Sequence, residues 1–272
     1  MTRHQRFADL HASGCFVIPN PWDAGSARMM AAAGAVALAT SSAAHAFTLG
    51  RADMGGVSRD EALAHAQMLL GATALPVSGD FEDGFAADPD GVAETVRLAG
   101  EVGLSGCSIE DTVMSGGSHD FAAAVERIRA AVAAARALRR PFVLCARADG
   151  VMNGVYDLAE GIRRLQAFQA AGADLLYLPV PPDRAGLAQV LAAVTAPVNA
   201  LAAGPLKALT VAELAAMGVR RISLGSQVAR VTHAAIRDCM AGILGEGSFA
   251  TLQAAAPGDE IDSLLRRGAV GV

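Results

Sequence analysis

Short apolar runs alternate with alanine-rich segments of helical period along most of the chain. The runs are Cys15–Ile18, Val36–Thr40, Pro76–Gly79, Gly106–Ile109, Phe142–Ala146, Leu175–Leu178, Pro197–Leu201 and Arg221–Leu224. Each is four or five residues long and lacks polar alternation, the pattern of strands buried on both faces. Between them, segments such as Asp120–Leu138 and Asp157–Ala171 carry the helical period. Asp157 with Glu160 three residues on predicts an N-terminal capping box, and Gly172 a C-terminal stop. Several units end alike, at Ala33-Gly34-Ala35, Glu101-Val102-Gly103, Ala171-Gly172-Ala173 and Met217-Gly218-Val219. Eight strands at roughly 30-residue spacing, each followed by a helix, predict a (β/α)8 TIM barrel of about 250 residues. An open doubly wound sheet is the competing arrangement. The glycine-rich dinucleotide turn often found there is missing, because the first run leads into Pro19-Asn20-Pro21-Trp22-Asp23. The expected organisation is an α/β barrel over residues 1–244. A C-terminal helical appendage over 245–272 is expected to pack on the barrel or on a neighbouring subunit.

Composition narrows the partners. The 272 residues carry a formal charge of −5, which argues against nucleic acid or an anionic membrane as the main partner. Of the 22 basic residues only Lys207 is a lysine, so Schiff-base chemistry rests on that one residue or does not occur. Cys15, Cys107, Cys145 and Cys239 show no paired spacing. That pattern fits a reducing compartment, and the first three read as small core residues. Met1–Leu10 has charges but no apolar core behind it, and no apolar run approaches a membrane span. A cytoplasmic protein is expected.

In a barrel the chemistry gathers at the C-terminal ends of the strands. Those positions hold Asp23, Ser41 and Ser42, Asp80 with Glu82 and Asp83, Glu110 with Asp111, then Arg147 and Asn199. Five carboxylates from two neighbouring strands would raise one another's pKa values unless a cation neutralised them. Oxygen ligands without histidine or cysteine favour Mg²⁺, with Mn²⁺ as an alternative. Helix capping and solvation form the competing reading for Asp83, Asp88 and Asp90, and explain Glu110 poorly. Arg147 either pairs with Glu110 or Asp111 or binds a substrate carboxylate, and both can hold together. The backbone of Ser41, Ser42 and Ala43 can present N–H groups to an oxyanion. Gly225-Ser226 is a weaker candidate for a phosphate cradle. Of the histidines, His45 and His119 fall in loops at the catalytic end.

Several of these stretches carry a resemblance. Pro19-Asn20-Pro21-Trp22-Asp23-Ala24-Gly25-Ser26-Ala27, Thr40-Ser41-Ser42, Gly79-Asp80-Phe81-Glu82-Asp83-Gly84-Phe85, Ser108-Ile109-Glu110-Asp111 and Ala146-Arg147-Ala148-Asp149 follow one another on successive strands. Together they resemble the isocitrate lyase/phosphoenolpyruvate mutase superfamily from Phe16 to Leu244. Its members act on 2-oxo acids or their enol derivatives, with Mg²⁺ at the barrel mouth. The resemblance implies Asp80 as direct metal ligand, with Asp53, Glu82 and Glu110 holding metal-bound waters. It implies Ser41, Ser42, Ala43 and Arg147 at the substrate carboxylate; Trp22, Asp23 and Asn199 complete the expected substrate set.

The chain departs from the family after the fourth strand. The lyases carry a lysine- and cysteine-containing loop there, and the mutases a lysine and an asparagine. Here it reads Thr112-Val113-Met114-Ser115-Gly116-Gly117-Ser118-His119-Asp120. Its glycines suit a mobile lid, with His119 as the titratable candidate for catalysis beside Glu110 and Arg147. The expected protein is a Mg²⁺-dependent homo-oligomer, a dimer or tetramer. It would cleave a C–C bond of a small 2-oxo acid through an enolate, as decarboxylase or lyase. A weakly active oxo-acid binder and a C–P mutase or hydrolase are the alternatives.

Overall fold

The computed structural model describes residues 1–270. Eight strands form one parallel sheet: β1 (Phe16–Ile18), β2 (Leu38–Ala39), β3 (Val77–Asp80), β4 (Gly106–Glu110), β5 (Val143–Arg147), β6 (Leu175–Tyr177), β7 (Val198–Leu201) and β8 (Arg221–Ser223). The first helices are α1 (Arg3–Ala12), α2 (Ala24–Ala32), α3 (Ser42–Thr48), α4 (Arg59–Ala72) and α5 (Pro89–Glu101). They continue with α6 (Phe121–Ala137), α7 (Leu158–Ala170), α8 (Arg184–Ala193), α9 (Val211–Met217), α10 (Gln227–Met240) and α11 (Gly258–Arg267). All eight predicted runs are strands, shifted by two residues or fewer at each end.

The sheet runs β1-β8-β7-β6-β5-β4-β3-β2, which brings β1 and β2 to its two ends. Those ends meet where Ala39 N donates to Pro19 O at 3.0 Å. Asn20 adds a clasp: its Nδ2 donates to Thr40 O, and its Oδ1 accepts from Leu224 N and Gly225 N. The ring therefore closes as a nearly complete (β/α)8 barrel. Gly225 N–H, a candidate phosphate donor by sequence, is spent on this clasp.

The repeated unit ending has one physical cause. Gly34, Gly103, Gly172 and Gly218 take φ of 98°, 101°, 100° and 100°, a region costly for a residue with a Cβ. The residue after each glycine donates back to a carbonyl five residues earlier, as Ala173 N does to Phe168 O. This closing pattern reverses each helix into its next strand. At the other end of α7, Asp157 accepts from Glu160 N, but Glu160 turns its carboxylate to Arg163 and Arg164. The predicted capping box is thus half formed. Asp88 caps α5 with Pro89 at its first turn, as the sequence suggests.

Two apolar layers flank the strands. Leu38, Val77, Cys107, Ile109, Leu144 and Leu176 face the helices, while Phe16, Ile18, Cys145, Leu175 and Tyr177 fill the interior. Cys15 is only half-buried, unlike the core role expected of it. Helix α1 supplies Phe7, fully buried against the interior cluster, as a plug at the N-terminal end of the barrel. Helix α11 packs on α2, and α10 buries only Ala229. No helix among the described residues is long and apolar enough to cross a membrane.

Candidate active site

The strand ends converge on Arg147. From the end of β5, its Nη1 donates to Asp80 Oδ1 at 2.8 Å, and Nη2 lies 2.9 Å from Glu110 Oε2. Asp149 accepts from Nε at 3.1 Å and from Nη2 at 2.6 Å. The ring of Tyr177 lies beneath the guanidinium, 5.1 Å from its carbon. One cation thus serves three carboxylates. Burial pushes the Glu110 carboxyl well above the usual carboxylate range; Arg147 opposes that shift and Asp149 reinforces it. Of the two pairings open from sequence, Arg147 takes Glu110, whereas Asp111 pairs with Arg164 at 2.9 Å.

Asp80 is held from several sides. Oδ2 accepts from Ser42 N at 3.0 Å and Ser42 Oγ at 3.1 Å, and Oδ1 accepts from Ser108 Oγ at 3.1 Å. Thr40 Oγ1 lies 2.6 Å from the Asp80 backbone N–H. Ser42 therefore spends its backbone donor on Asp80, and Ser41 Oγ caps α3 through Ala44 N. Ala43 is buried one residue further into α3.

Glu82 sits just past β3 at φ 45°, and its Oε2 is buried with no hydrogen-bond partner. Burial, then the charge of Asp80, raises its carboxyl to about 7. Asp53 is an exposed loop residue whose Oδ1 accepts from Met54 N, and it feels the charges of Asp80 and Arg147. No group of three or more histidine, cysteine or acidic side chains among the described residues is already arranged to grip an ion. The donor set still fits Mg²⁺, which binds through one or two carboxylates and keeps several waters. Glu82 Oε2 is the buried oxygen free to take part.

Other expected substrate residues have internal duties. Asp23 caps α2 in a reciprocal box with Ser26, and Trp22 O accepts from His65 Nε2 at 3.0 Å. Asn199 is 1% exposed with both amide ends engaged, Oδ1 by Arg221 and Nδ2 by Ser223. The loop after β4 is a small hairpin in which Thr112 pairs with Ser118, turning through Gly116 and Gly117 at φ 115° and 90°. His119 Nε2 is buried without a partner, and burial followed by the charge of Arg127 holds the imidazole below its ordinary value.

The sequence reading passed over the brace behind this hairpin. Arg164 of α7 donates to Asp111 Oδ2 and to His119 O, both at 2.9 Å. Tyr156 OH donates to the same Asp111 oxygen at 2.7 Å, and Asp111 Oδ1 accepts from Asp149 N. Asp149 was visible two residues beyond Arg147, whereas Arg164 looks like any polar position of a helix.

Comparisons with known proteins place the chain in a family. The family description "Phosphoenolpyruvate phosphomutase" matches residues 7–244. A solved lyase/mutase-class structure from Burkholderia cenocepacia J2315 superposes with a TM-score of 0.91 at 45% identity, covering 96% of this chain and 94% of that one. An uncharacterized protein of Mycobacterium tuberculosis H37Rv is 34% identical over 227 residues, 81% of each chain. Oxaloacetate decarboxylase of Paraburkholderia xenovorans LB400 is 34% identical over 207 residues, 73% of this chain and 64% of that protein. The chain belongs to the phosphoenolpyruvate phosphomutase family, within the isocitrate lyase/phosphoenolpyruvate mutase superfamily of enzymes.

Proposed function

We propose that this protein is a Mg²⁺-dependent enzyme that cleaves a C–C bond of a small 2-oxo acid, with decarboxylation of oxaloacetate the first reaction to test. The carrying observation is Asp80, fixed at the barrel mouth by Ser42, Ser108 and Arg147 beside the unpartnered Glu82 oxygen. Asp80 would hold the ion directly, with Asp53, Glu82 and Glu110 on its waters; Mn²⁺ is the substitute. Such an ion acts as a Lewis acid toward the negative charge of an enolate, a contribution of several kcal/mol.

The protein's own groups set the rest. The backbone N–H groups of Ser41 and Ala43 and the uncommitted N–H groups of Arg147 receive the substrate carboxylate, while Ser42 acts through its hold on Asp80. Trp22 and Asp23 border the first loop, and Asn199 acts from behind through Ser223. Closure of the hairpin at residues 112–120 excludes water from the carbanionic carbon. Decarboxylation asks for little beyond an electron sink, whereas retro-aldol cleavage also needs a base for the departing hydroxyl. Within the hairpin the titratable side chains are His119 and Asp120, and His119, with its buried unpartnered Nε2, is the candidate for that duty. The similarity to an oxaloacetate decarboxylase favours the lighter chemistry, and the lack of lysine in the hairpin disfavours C–P transfer.

We also read the protein as a cytoplasmic homo-oligomer, dimer or tetramer. All four cysteines are free thiols, and α10 with the turn after it leaves Val231, Ile236, Met240 and Leu244 exposed. The deciding assay is pyruvate formation from oxaloacetate with Mg²⁺ and with chelator. Metal-dependent pyruvate release is expected. Tight 2-oxo acid binding without turnover would instead make the chain a binding protein.

A further inference from the structure

Arg221 opens β8 and sits in the barrel interior, 5% exposed. Its Nε donates to Asn199 Oδ1 at 2.7 Å, and Nη2 lies 3.5 Å from the Cys145 sulfur. Nη1 is buried with no partner at all. Among the described residues, no carboxylate lies within ion-pair distance of this guanidinium. Arg147 meets three carboxylates and Arg164 meets Asp111 and Glu160, while the buried Arg127 of α6 gives its Nη2 to the carbonyls of Asp83 and Ala86 and does not line the space described next. A buried charge without a counter-ion is costly, and an arginine cannot escape by losing its proton.

The unpaired group borders a cavity. A space of about 50 Å³ is lined by Arg221, Asn20, Asp80, Arg147, Tyr177 and Ser223 among others. A single water needs about 10–15 Å³, so the space takes a few waters or one small polyatomic ion. It is too small for the carbon chain of a dicarboxylic acid. Asp80 bounds it too, but that carboxylate is already paired with Arg147. The free positive charge belongs to Arg221. Guanidinium N–H groups suit a planar oxyanion.

We infer that Arg221 is the receptor of a second, interior anion subsite, which takes a small monoanion of formate or bicarbonate size. This seat adjoins the mouth residues Ser41, Asp80 and Arg147, which border the same space, and differs from the 2-oxo acid site in that Arg221 is its recognising group. The anion comes either free from solution or as the carboxylate end of an acid bound above. Asn199 is the positioning residue, fixing the guanidinium through Oδ1 while Nδ2 binds Ser223 Oγ at 2.9 Å.

The test needs no turnover, so it stands or falls apart from the proposed reaction. Sodium formate is exchanged for sodium gluconate, a monoanion too large for the cavity, at constant ionic strength. The thermal midpoint of the wild-type protein rises with formate, because an anion that binds only the folded chain stabilises it. In Arg221→Met the rise disappears or needs at least tenfold more formate. An equal rise in both proteins, or none in the wild type, overturns the inference. If Arg221→Met does not fold, wild-type crystals soaked in sodium bromide carry the test. Anomalous density within hydrogen-bonding reach of Nη1 supports the seat, and its lack overturns it. Repeating the titration with saturating Mg²⁺ and oxalate separates the two sources. A formate midpoint unmoved by oxalate identifies a free anion. Competition, with oxalate also at least tenfold weaker in Arg221→Met, identifies the carboxylate of the bound acid.

Discussion

Asp149 grips Arg147 from two residues away, taking Nε at 3.1 Å and Nη2 at 2.6 Å on its two oxygens. With Asp80 engaged as well, three of the five guanidinium N–H groups donate to carboxylates inside the protein, and Glu110 lies 2.9 Å from Nη2 as a further counter-charge. Arg147 is accordingly a hub that fixes the acidic groups, with most of its donors turned inward rather than toward a ligand.

Arg147→Lys keeps the charge and loses the planar geometry. Mg²⁺ and 2-oxo acid affinity should fall together, since Asp80 and Glu110 lose the group that spaces them. Calorimetric titration of each ligand decides. Loss of acid affinity with Mg²⁺ binding intact would instead show that Arg147 serves mainly the substrate.

Asp149→Asn removes a charge that is 1% exposed and leaves Arg147 with fewer counter-ions. Removing one partner of a buried ion pair typically costs about 3–5 kcal/mol. A loss of that order in urea unfolding is expected, against under about 0.5 kcal/mol for an exposed control such as Glu126→Gln.

Asp80→Asn preserves size while removing the carboxylate charge. Mg²⁺ binding and metal-dependent turnover should vanish together, with the circular dichroism spectrum unchanged. Wild-type metal affinity in the folded variant would remove Asp80 from the ligand set.

His119→Ala should lower turnover by less than about a hundredfold, the lower end of what a general acid–base group contributes. Replacing residues 112–118 with a short glycine linker should cost more, because the hairpin as a whole shuts out water. A drop beyond about a thousandfold for His119→Ala, with loss of a limb in the pH–rate profile, would identify the imidazole as the proton carrier.

Buried histidines make stability depend on pH, His11 and His65 most deeply among them. Burial, then Arg221, lowers His11 to about 3; burial, then the neighbouring His45, lowers His65 to about 4. The unfolded chain therefore takes up these protons first, near 6.5. Stability is fully present above that pH and declines as the pH falls toward the folded values, by roughly 1.4 kcal/mol per pH unit for each group. Urea midpoints at pH 7 and pH 5 should separate less in His65→Gln than in wild type. An identical separation would mean that His65 does not contribute.

The barrel was legible because its strands are buried on both faces, so their unbroken apolar runs stand out between alanine-rich helices. Asp80, Glu110 and Arg147 were legible because a charged residue ending such a run has few structural excuses. The same logic gave Asp23 and Asn199 a place at the substrate, but a position at a strand end does not reveal a side chain's partner. Asp23 caps a helix, and Asn199 is held between two residues of β8. Arg164 and Tyr156 lie outside the strands, and the remote residues they brace cannot be read from helical period. Arg221 passed as the first residue of an apolar run, because its isolation depends on the whole inner face of the barrel.

The plug formed by Phe7 has a kinetic consequence. With the N-terminal end sealed by a fully buried ring, the interior has one doorway, the same mouth through which the organic acid arrives. A free anion at Arg221 would have to enter before that acid is seated and could leave only after it departs, so traffic would be last in, first out. If the anion is instead the acid's own carboxylate, both ends of the acid pass through the one doorway in a single step.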